Sequence, residues 1–328
     1  TLDQFREVLG DGASLEALNV SCSALMKLYG GLGGSTECSI ANSLWTDPEG
    51  RMQEDFVGRC SGIFDAQVFQ EDLSAPVIVP ALNSWVSDHT AGMIPQIIQR
   101  PFGEDAAALM VNALYLKNTW AAKFDPSDTV TRDFTRADGV AEPLDFLQHF
   151  SRSLTYLQSG SDEGVLLPYD DGRLAFFALM PRQSSGVPDF ERWLSSLTGE
   201  GLSALLSGRE ETFFLRLSLP KFEQEWSGEL KDALAALGLT DAFDPDLADF
   251  SLLGDDPRGY YLSQVIHAAR IEVNEEGTEA ASATVVAAAS GAAPPQEGVT
   301  LIFDRPFLYG IVDLQNGVPL FLGTFEGL

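Results

Sequence analysis

The chain has 328 residues and 45% hydrophobic content, enough to bury a large core as one big domain or two ordinary ones. It carries 20 Lys and Arg against 48 Asp and Glu, a formal net charge of −28, which excludes nucleic acid as a partner and disfavours anionic membranes and heparin-like polyanions. No apolar run approaches the roughly 20 residues that cross a bilayer, and the opening Thr1-Leu2-Asp3-Gln4-Phe5-Arg6-Glu7 has neither the basic end nor the apolar core of a secretion signal. A basic protein partner, by contrast, is attracted and steered by such a charge.

In chain order, residues 1–30 read as helical, with Leu15, Leu18, Leu25 and Leu28 among small polar residues. The glycine cluster Tyr29-Gly30-Gly31-Leu32-Gly33-Gly34-Ser35 has no following Lys and no clear strand before it, so it reads as a turn rather than a phosphate cradle. Ser39–Trp45 reads as a short strand, and Met52 to about Ile98 as mostly helical. Ala107–Lys117 is an apolar run suited to a strand covered on both faces, with Asn112 a buried amide in need of partners. Further strands are expected at Gly164–Pro168, Leu174–Met180 and Phe213–Leu219, with a helix over Val187–Ser207. A helix over Gly228–Leu237, closed by Gly238, precedes a strand over Val265–Val273. The end reads as strands Thr300–Phe303, Phe307–Val312 and Leu320–Thr324, with Asn316-Gly317 a hairpin signal. Helices concentrated in the first third and strands in the rest predict an α+β fold with large, mostly antiparallel sheets.

Candidate chemistry is sparse. Cys22, Cys38 and Cys60 are odd in number and fit no zinc spacing; three unpaired thiols, or one incidental pair, are expected. The three histidines, His89, His149 and His267, lie near no GxSxG elbow, HExxH helix or Cys/His cluster. His89 reads as part of a solvated helix face, His149 as a strand end and His267 as a hydrogen-bonded core histidine. The many carboxylates single out no glycosidase pair. No metal, cofactor or catalytic constellation is predicted.

One stretch stands apart. From Ala280 to Gln296 an acidic chain carries seventeen uncharged residues. If it is extended, Thr278, Ala280, Ser282, Thr284, Val286 and Ala288 share one face, which has no charge and nothing larger than valine. Gly277 and Glu279 fall on the other. Such a face can lie on a packed core; a mobile Ala-rich linker is the alternative.

The segment Glu275-Glu276-Gly277-Thr278-Glu279-Ala280-Ala281-Ser282-Ala283-Thr284 closely resembles the reactive-loop hinge of inhibitory serpins. Val111-Asn112-Ala113-Leu114-Tyr115-Leu116-Lys117-Asn118-Thr119-Trp120, Leu219-Pro220-Lys221-Phe222, Asp304-Arg305-Pro306-Phe307-Leu308, and Asn83-Ser84-Trp85-Val86 with Thr90-Ala91-Gly92 are similar to further signatures of that family. The resemblance implies one serpin domain over 1–328, with two or three N-terminal helices and a strand of the fold missing, and a reactive-centre loop at about 277–300. It implies that Glu275, Gly277, Thr278, Ala280, Ser282 and Thr284 form the loop hinge, and that Asn112, Trp120 and His267 mark where the sheet opens.

The function implied is that of a suicide substrate, not an enzyme. A serine protease cleaves the loop, and the acylated loop enters the central sheet before the ester hydrolyses. Counting from Glu275 as the family pattern suggests puts the reactive bond at Gly291–Ala292, within a range of Ala287 to Ala293. No Lys or Arg lies between Gly277 and Asp304, and no aromatic residue between Gly277 and Ile302. The expected partner is therefore an elastase-like or subtilisin-like serine protease with a small specificity pocket, held covalently. An extracellular monomer, able to form loop–sheet polymers, is expected. A non-inhibitory serpin acting as carrier or chaperone is the alternative.

Overall fold

A computed structural model describes residues 1–33, 35–151, 154–160, 162–182, 190–207, 209–210, 214–255, 259–278 and 298–328. The first third holds α1 (Leu2–Gly10), α2 (Leu15–Gly30), β1 (Glu37–Thr46), β2 (Arg51–Met52), α3 (Glu54–Phe64), β3 (Ala66–Gln70) and α4 (Ile78–His89). Then come β4 (Ala108–Thr119), β5 (Val130–Thr135), β6 (Ala141–Ser151), β7 (Thr155–Ser159), β8 (Asp162–Pro168) and β9 (Leu174–Pro181). Helices α5 (Phe190–Ser196) and α6 (Gly199–Ser207) lead to β10 (Arg209–Glu210), β11 (Leu215–Pro220), β12 (Phe222–Glu229) and α7 (Lys231–Ala236). The chain closes with β13 (Gly254–Asp255), β14 (Leu262–Val273), β15 (Gly277–Thr278), β16 (Val299–Ile302), β17 (Phe307–Asp313) and β18 (Pro319–Phe325). This is the α+β fold expected, with several sheets.

The strands form sheets of order β12-β14-β15-β4-β1-β3, β10-β7-β8-β9-β17-β18 and β16-β11-β6-β5, with β13 and β2 as a pair. The chain organises into two compact units, interleaved in sequence: Thr1–Leu32, Glu37–Leu116 and Gln224–Ile271; and Gly33–Thr36, Lys117–Glu223 and Glu272–Leu328.

In the first unit, β4 alternates. Leu109, Val111, Ala113 and Tyr115 turn to one face, where Ile78, Leu82, Trp85 and Val86 of α4 cover them together with Ile266 and Ala268 of β14. On the other face Ala108, Leu114 and Leu116 are buried and Asn112 partly so, and the expectation of a strand covered on both faces fails at Met110, which is 43% exposed. The stretch 52–98 is not mostly helical. Asp65, at φ 49°, stops α3, and β3 pairs in parallel with β1 from Asn42↔Ala66 to Thr46↔Gln70. Ala91 and Gly92, at φ 52° and 79°, end the α4 region. Asn83 then binds the following loop, accepting from the amides of Ile97 and Ile98 and donating to the Ile98 carbonyl. The expected helix over Gly228–Leu237 begins later, because Gly228 and Glu229 belong to β12; Gly238 closes it at φ 110°.

In the second unit all eight residues of β9 and all seven of β17 are buried, and both read as apolar runs up to Asp313 at the end of β17, which pairs with Arg173. Phe190 and Trp193 of α5 and Leu205 and Leu206 of α6 pack on Phe177, Leu179, Leu308 and Val312. Described residues of the expected helix 187–207 form two helices; the Thr198 hydroxyl accepts from the Gly201 amide and starts the second. Strands β5 to β7 are additional to those expected. Val130 of β5 is exposed and its neighbours are polar, so partner register rather than periodicity defines it. The Asn316-Gly317 signal holds: β17 and β18 form an antiparallel hairpin, with Gly317 at φ 68°.

Candidate functional site

Two clusters hold the sequence-predicted residues. The first lies in the second unit, where β14 ends at Val273 and the chain turns back. The Asn274 side-chain oxygen accepts from the amides of Glu276 (3.0 Å) and Gly277 (3.3 Å), and its own amide donates to the Gly277 carbonyl (3.1 Å). The returning pair Gly277–Thr278 is β15. It is antiparallel to β14 through Val273↔Thr278 and to β4 through Gly277↔Thr119 and Thr278↔Asn118. Position 277 must be glycine, because a Cβ there would drive into the Asn118 carbonyl.

Thr278 is 1% exposed, and its hydroxyl lies 2.5 Å from the Tyr169 hydroxyl. Burial pushes the Tyr169 phenol far above its usual range, so it meets Thr278 as a neutral partner. The Tyr169 ring stacks on Trp120 at 4.8 Å and 5°. Trp120 grips the turn twice: its amide donates to the Glu276 carbonyl (3.0 Å) and its indole nitrogen to the Asn274 carbonyl (2.9 Å).

Two ion pairs flank this turn. Glu276 pairs with Lys123. Glu275 meets Lys221 at 2.9 Å and accepts from the Thr129 hydroxyl at 2.9 Å, while its carbonyl accepts from the Phe124 amide. Partial burial raises the Glu275 carboxyl, but the Lys221 and Thr129 hydrogen bonds outweigh it and hold the group below its ordinary range. Lys221 is about a third exposed, so the pair is screened; Lys221→Met is expected to cost about 1 kcal/mol, lowering Tm by about 2 °C in a thermal melt.

The second cluster lies in the first unit. There β4 and β14 pair directly and in parallel, from Leu262↔Ala108 to Ala269↔Leu114, with His267 opposite Asn112. The Asn112 amide nitrogen donates to the Ala41 carbonyl (3.3 Å) and to Asn42 Oδ1 (2.9 Å). The Ala41 carbonyl can only accept, which sets the orientation of the amide. Asn112 Oδ1 therefore accepts from His267 Nδ1, at 2.8 Å, so His267 carries its proton there. Asn42 in turn donates to the Phe64 carbonyl at the end of α3. The amide expected to need partners has three.

Burial lowers the pKa of His267 below the ordinary 6.5, and that of His149 likewise, the latter opposed by Asp128. The unfolded chain then takes up protons first as pH falls. The stability gained by keeping these rings neutral is complete above pH about 6.5 and is lost as pH falls through that value towards the folded pKa. Tm is expected to drop between pH 7.5 and 5.5, with a shallower drop in His267→Gln; a flat profile would contradict this.

Gly277, Thr278, Glu275 and Trp120 thus share one cluster, and Asn112 and His267 another. Ala280, Ser282, Thr284, Gly291, Ala292 and the range Ala287 to Ala293 lie outside the described residues. Sequence reasoning missed Tyr169, Lys123 and Thr129, and gave Lys221 no role of its own. Pro168-Tyr169-Asp170-Asp171-Gly172 carries an ordinary turn composition, and nothing local to it points to the hinge. His89 bonds the Trp85 carbonyl on its own helix (2.6 Å), and His149 packs its ring on Phe124 at 5.5 Å. Cys22, Cys38 and Cys60 are free, with burial pushing the Cys38 thiol up to about 11. Among the described residues no group of three His, Cys, Asp or Glu is placed to hold a metal, and no helix is long and apolar enough to cross a membrane.

Strands β4 and β14 are thus parted at one end by the chain reversal of β15, beside the Trp120–Tyr169 ring stack. The family model for serpins (serine protease inhibitors) matches residues 1–327, and the chain belongs to that family. It is 31% identical to Serpin-Z2B of Triticum aestivum, over 98% of this chain and 83% of that protein. It is 33% identical to plasminogen activator inhibitor 1 of Neovison vison, over 92% and 75%. The native-state structure of the thermophilic serpin tengpin superposes with a TM-score of 0.91 at 29% identity, covering all of this chain and 82% of that one.

Proposed function

We propose that this serpin is a suicide-substrate inhibitor of serine proteases with a small specificity pocket, elastase-like or subtilisin-like. The observation that carries the reading is Thr278, buried in a two-residue strand that lies antiparallel to both β14 and β4, while those two strands pair directly with each other further along. Continuing the register in steps of two from Thr278 sets Ala280 opposite Leu116 and Ile271, and Ser282 opposite Leu114 and Ala269. Thr284 then falls opposite Asn112 and His267, Val286 opposite Met110 and Val265, and Ala288 opposite Ala108 and Ser263. Every inward residue of that run is small and uncharged.

In the proposed cycle the protease serine attacks the carbonyl carbon of the reactive bond, placed at Gly291–Ala292. The amide C–N bond breaks, the Ala292 amine leaves with a proton, and the loop stays attached as an ester. Hydrolysis by water would release an active protease. Extension of β15 competes with it: parallel β4 and β14 part, and each gains an antiparallel neighbour. Thr284 then replaces the Asn112–His267 hydrogen bond, making that pair a gate. The protease, dragged with the loop, loses the oxyanion-hole geometry that deacylation requires.

We take the whole chain as one serpin domain, monomeric and extracellular, with its reactive-centre loop at about 277–300. Incubation with a pancreatic elastase and with a subtilisin tests the function. An SDS-stable complex is expected, and mass spectrometry of the released C-terminal peptide should place the cut between Ala287 and Ala293. No stable complex with either protease would sink the proposal.

A further inference from the structure

The sheet β16-β11-β6-β5 carries an exposed aromatic stack that the cycle above leaves unused. Phe150 of β6 is 57% exposed, and its ring lies parallel to that of Phe214, with centroids 5.1 Å apart at 10°. The Arg216 guanidinium sits over the same Phe150 ring, 5.1 Å from its centroid. Register aligns Phe150, Arg216 and Thr300 across three strands, and both Arg216 and Thr300 are exposed. The alternate positions Leu215, Leu217 and Leu301 are buried beneath. One face of this small sheet is therefore core, and the other presents two stacked aromatic rings and a cation.

The place of this patch matters as much as its composition. The Val299 amide donates to the Phe214 carbonyl at 2.9 Å, and β16 starts there. The patch thus adjoins the C-terminal anchor of the proposed reactive loop. Seven residues, Ala292 to Gly298, join the proposed reactive bond to this anchor, and they span at most about 25 Å. A serine protease of about 250 residues has a radius of gyration near 18 Å and is roughly 45 Å across. A protease engaged on the loop therefore comes within its own width of Phe150.

Resting on the inhibitory reading, we propose that Phe150, Phe214 and Arg216 form a second docking surface for the body of the target protease, used in the encounter before cleavage. The occupant is a protease surface that sets a carboxylate beside an apolar patch. The rings supply apolar contact at low entropy cost, and the stacked guanidinium, which pairs with no carboxylate among the described residues, offers its outer N–H donors to the carboxylate. In a chain of net charge −28 the cation at this point gives local selectivity that the overall charge cannot.

Stopped-flow measurement of complex formation with a pancreatic elastase and a subtilisin tests this, using the full chain and two variants, Phe150→Ala and Arg216→Glu. For at least one protease, each variant is expected to lower the second-order rate constant about tenfold. The stoichiometry of inhibition and the rise in Tm on loop cleavage should stay at wild-type values. Rate constants within twofold of wild type in both variants would overturn the docking surface alone and leave inhibition standing, whether or not Phe150→Ala lowers Tm through lost cross-strand packing. No complex with the wild-type chain would overturn the inhibitory reading and this proposal with it. A concentration-dependent dimer in sedimentation velocity that Phe150→Ala abolishes would assign the patch to a second copy of the chain and likewise overturn the proposal.

Discussion

Thr278→Arg is expected to turn the inhibitor into a substrate. The wild-type residue is buried and touches the Tyr169 hydroxyl, in a pocket roofed by the Trp120 ring stack. The Asp171 carboxylate, whose charge reaches Tyr169, is already held by Thr36 and Asn118, so an arginine at 278 buries a poorly paired charge at a cost of several kcal/mol. Because Thr278 is already seated in β15, the arginine is expected to turn the hinge out to solvent in the uncleaved chain, so that the cost falls on its re-entry during insertion and leaves deacylation untouched. Each 1.4 kcal/mol shifts the ratio of two competing rates about tenfold, so the stoichiometry of inhibition should rise by roughly a hundredfold. Titration of protease against the variant measures it, with the cleaved chain replacing the complex on an SDS gel. Thr278→Ser keeps the hydroxyl and should stay near wild type; Thr278→Val keeps the volume and loses the bond to Tyr169. A Thr278→Arg variant that still titrated one to one would remove Thr278 from the mechanism.

Cutting the loop without trapping a protease should produce the second large effect. Extending β15 beyond Thr278 to Ala288 completes two antiparallel ladders, while the direct pairing of β4 with β14 over Ala108–Leu114 is given up. A net gain of about ten hydrogen bonds at roughly 1 kcal/mol each amounts to about 10 kcal/mol. At 2–4 °C for each kcal/mol, Tm should rise by roughly 20–40 °C. Calorimetry before and after limited proteolysis within Ala287–Ala293 measures this. A carrier whose loop does not insert would show little change, so this measurement also separates the two serpin roles. Asn112→Ala, which removes the amide from the His267 gate, is expected to lower the uncleaved Tm without lowering the cleaved one equally, because insertion breaks that bond in any case.

Local chemistry made much of this legible. The small, neutral alternation from Thr278 onward indicated which face turns inward, and Thr278 is buried on that face. Asn112 announced itself as an amide in an apolar run, and its hydrogen bonds to Asn42, Ala41 and His267 satisfy that requirement. Both inferences rest on rules local to the backbone: period two in a strand, and the cost of an unpaired buried polar group. Strands β9 and β17 were found because their apolar runs are nearly continuous.

Other features depend on partners distant in the chain. Strands β5 and β7 are short and partly polar, and become strands only through neighbours that complete their ladders. Tyr169 lies 109 positions from Thr278, and Lys221 lies 54 from Glu275. A tyrosine in a turn and a lysine after a proline carry no mark of the hinge they serve. The same holds for Phe150, Phe214 and Arg216, which only strand register brings to one exposed row. By itself the sequence determined the family, the inward face of the hinge and the need for partners at Asn112, because each is written in contiguous residues. Tertiary structure decided which groups hold the hinge and where the sheet is already parted, because those depend on pairings between segments that chain order leaves far apart.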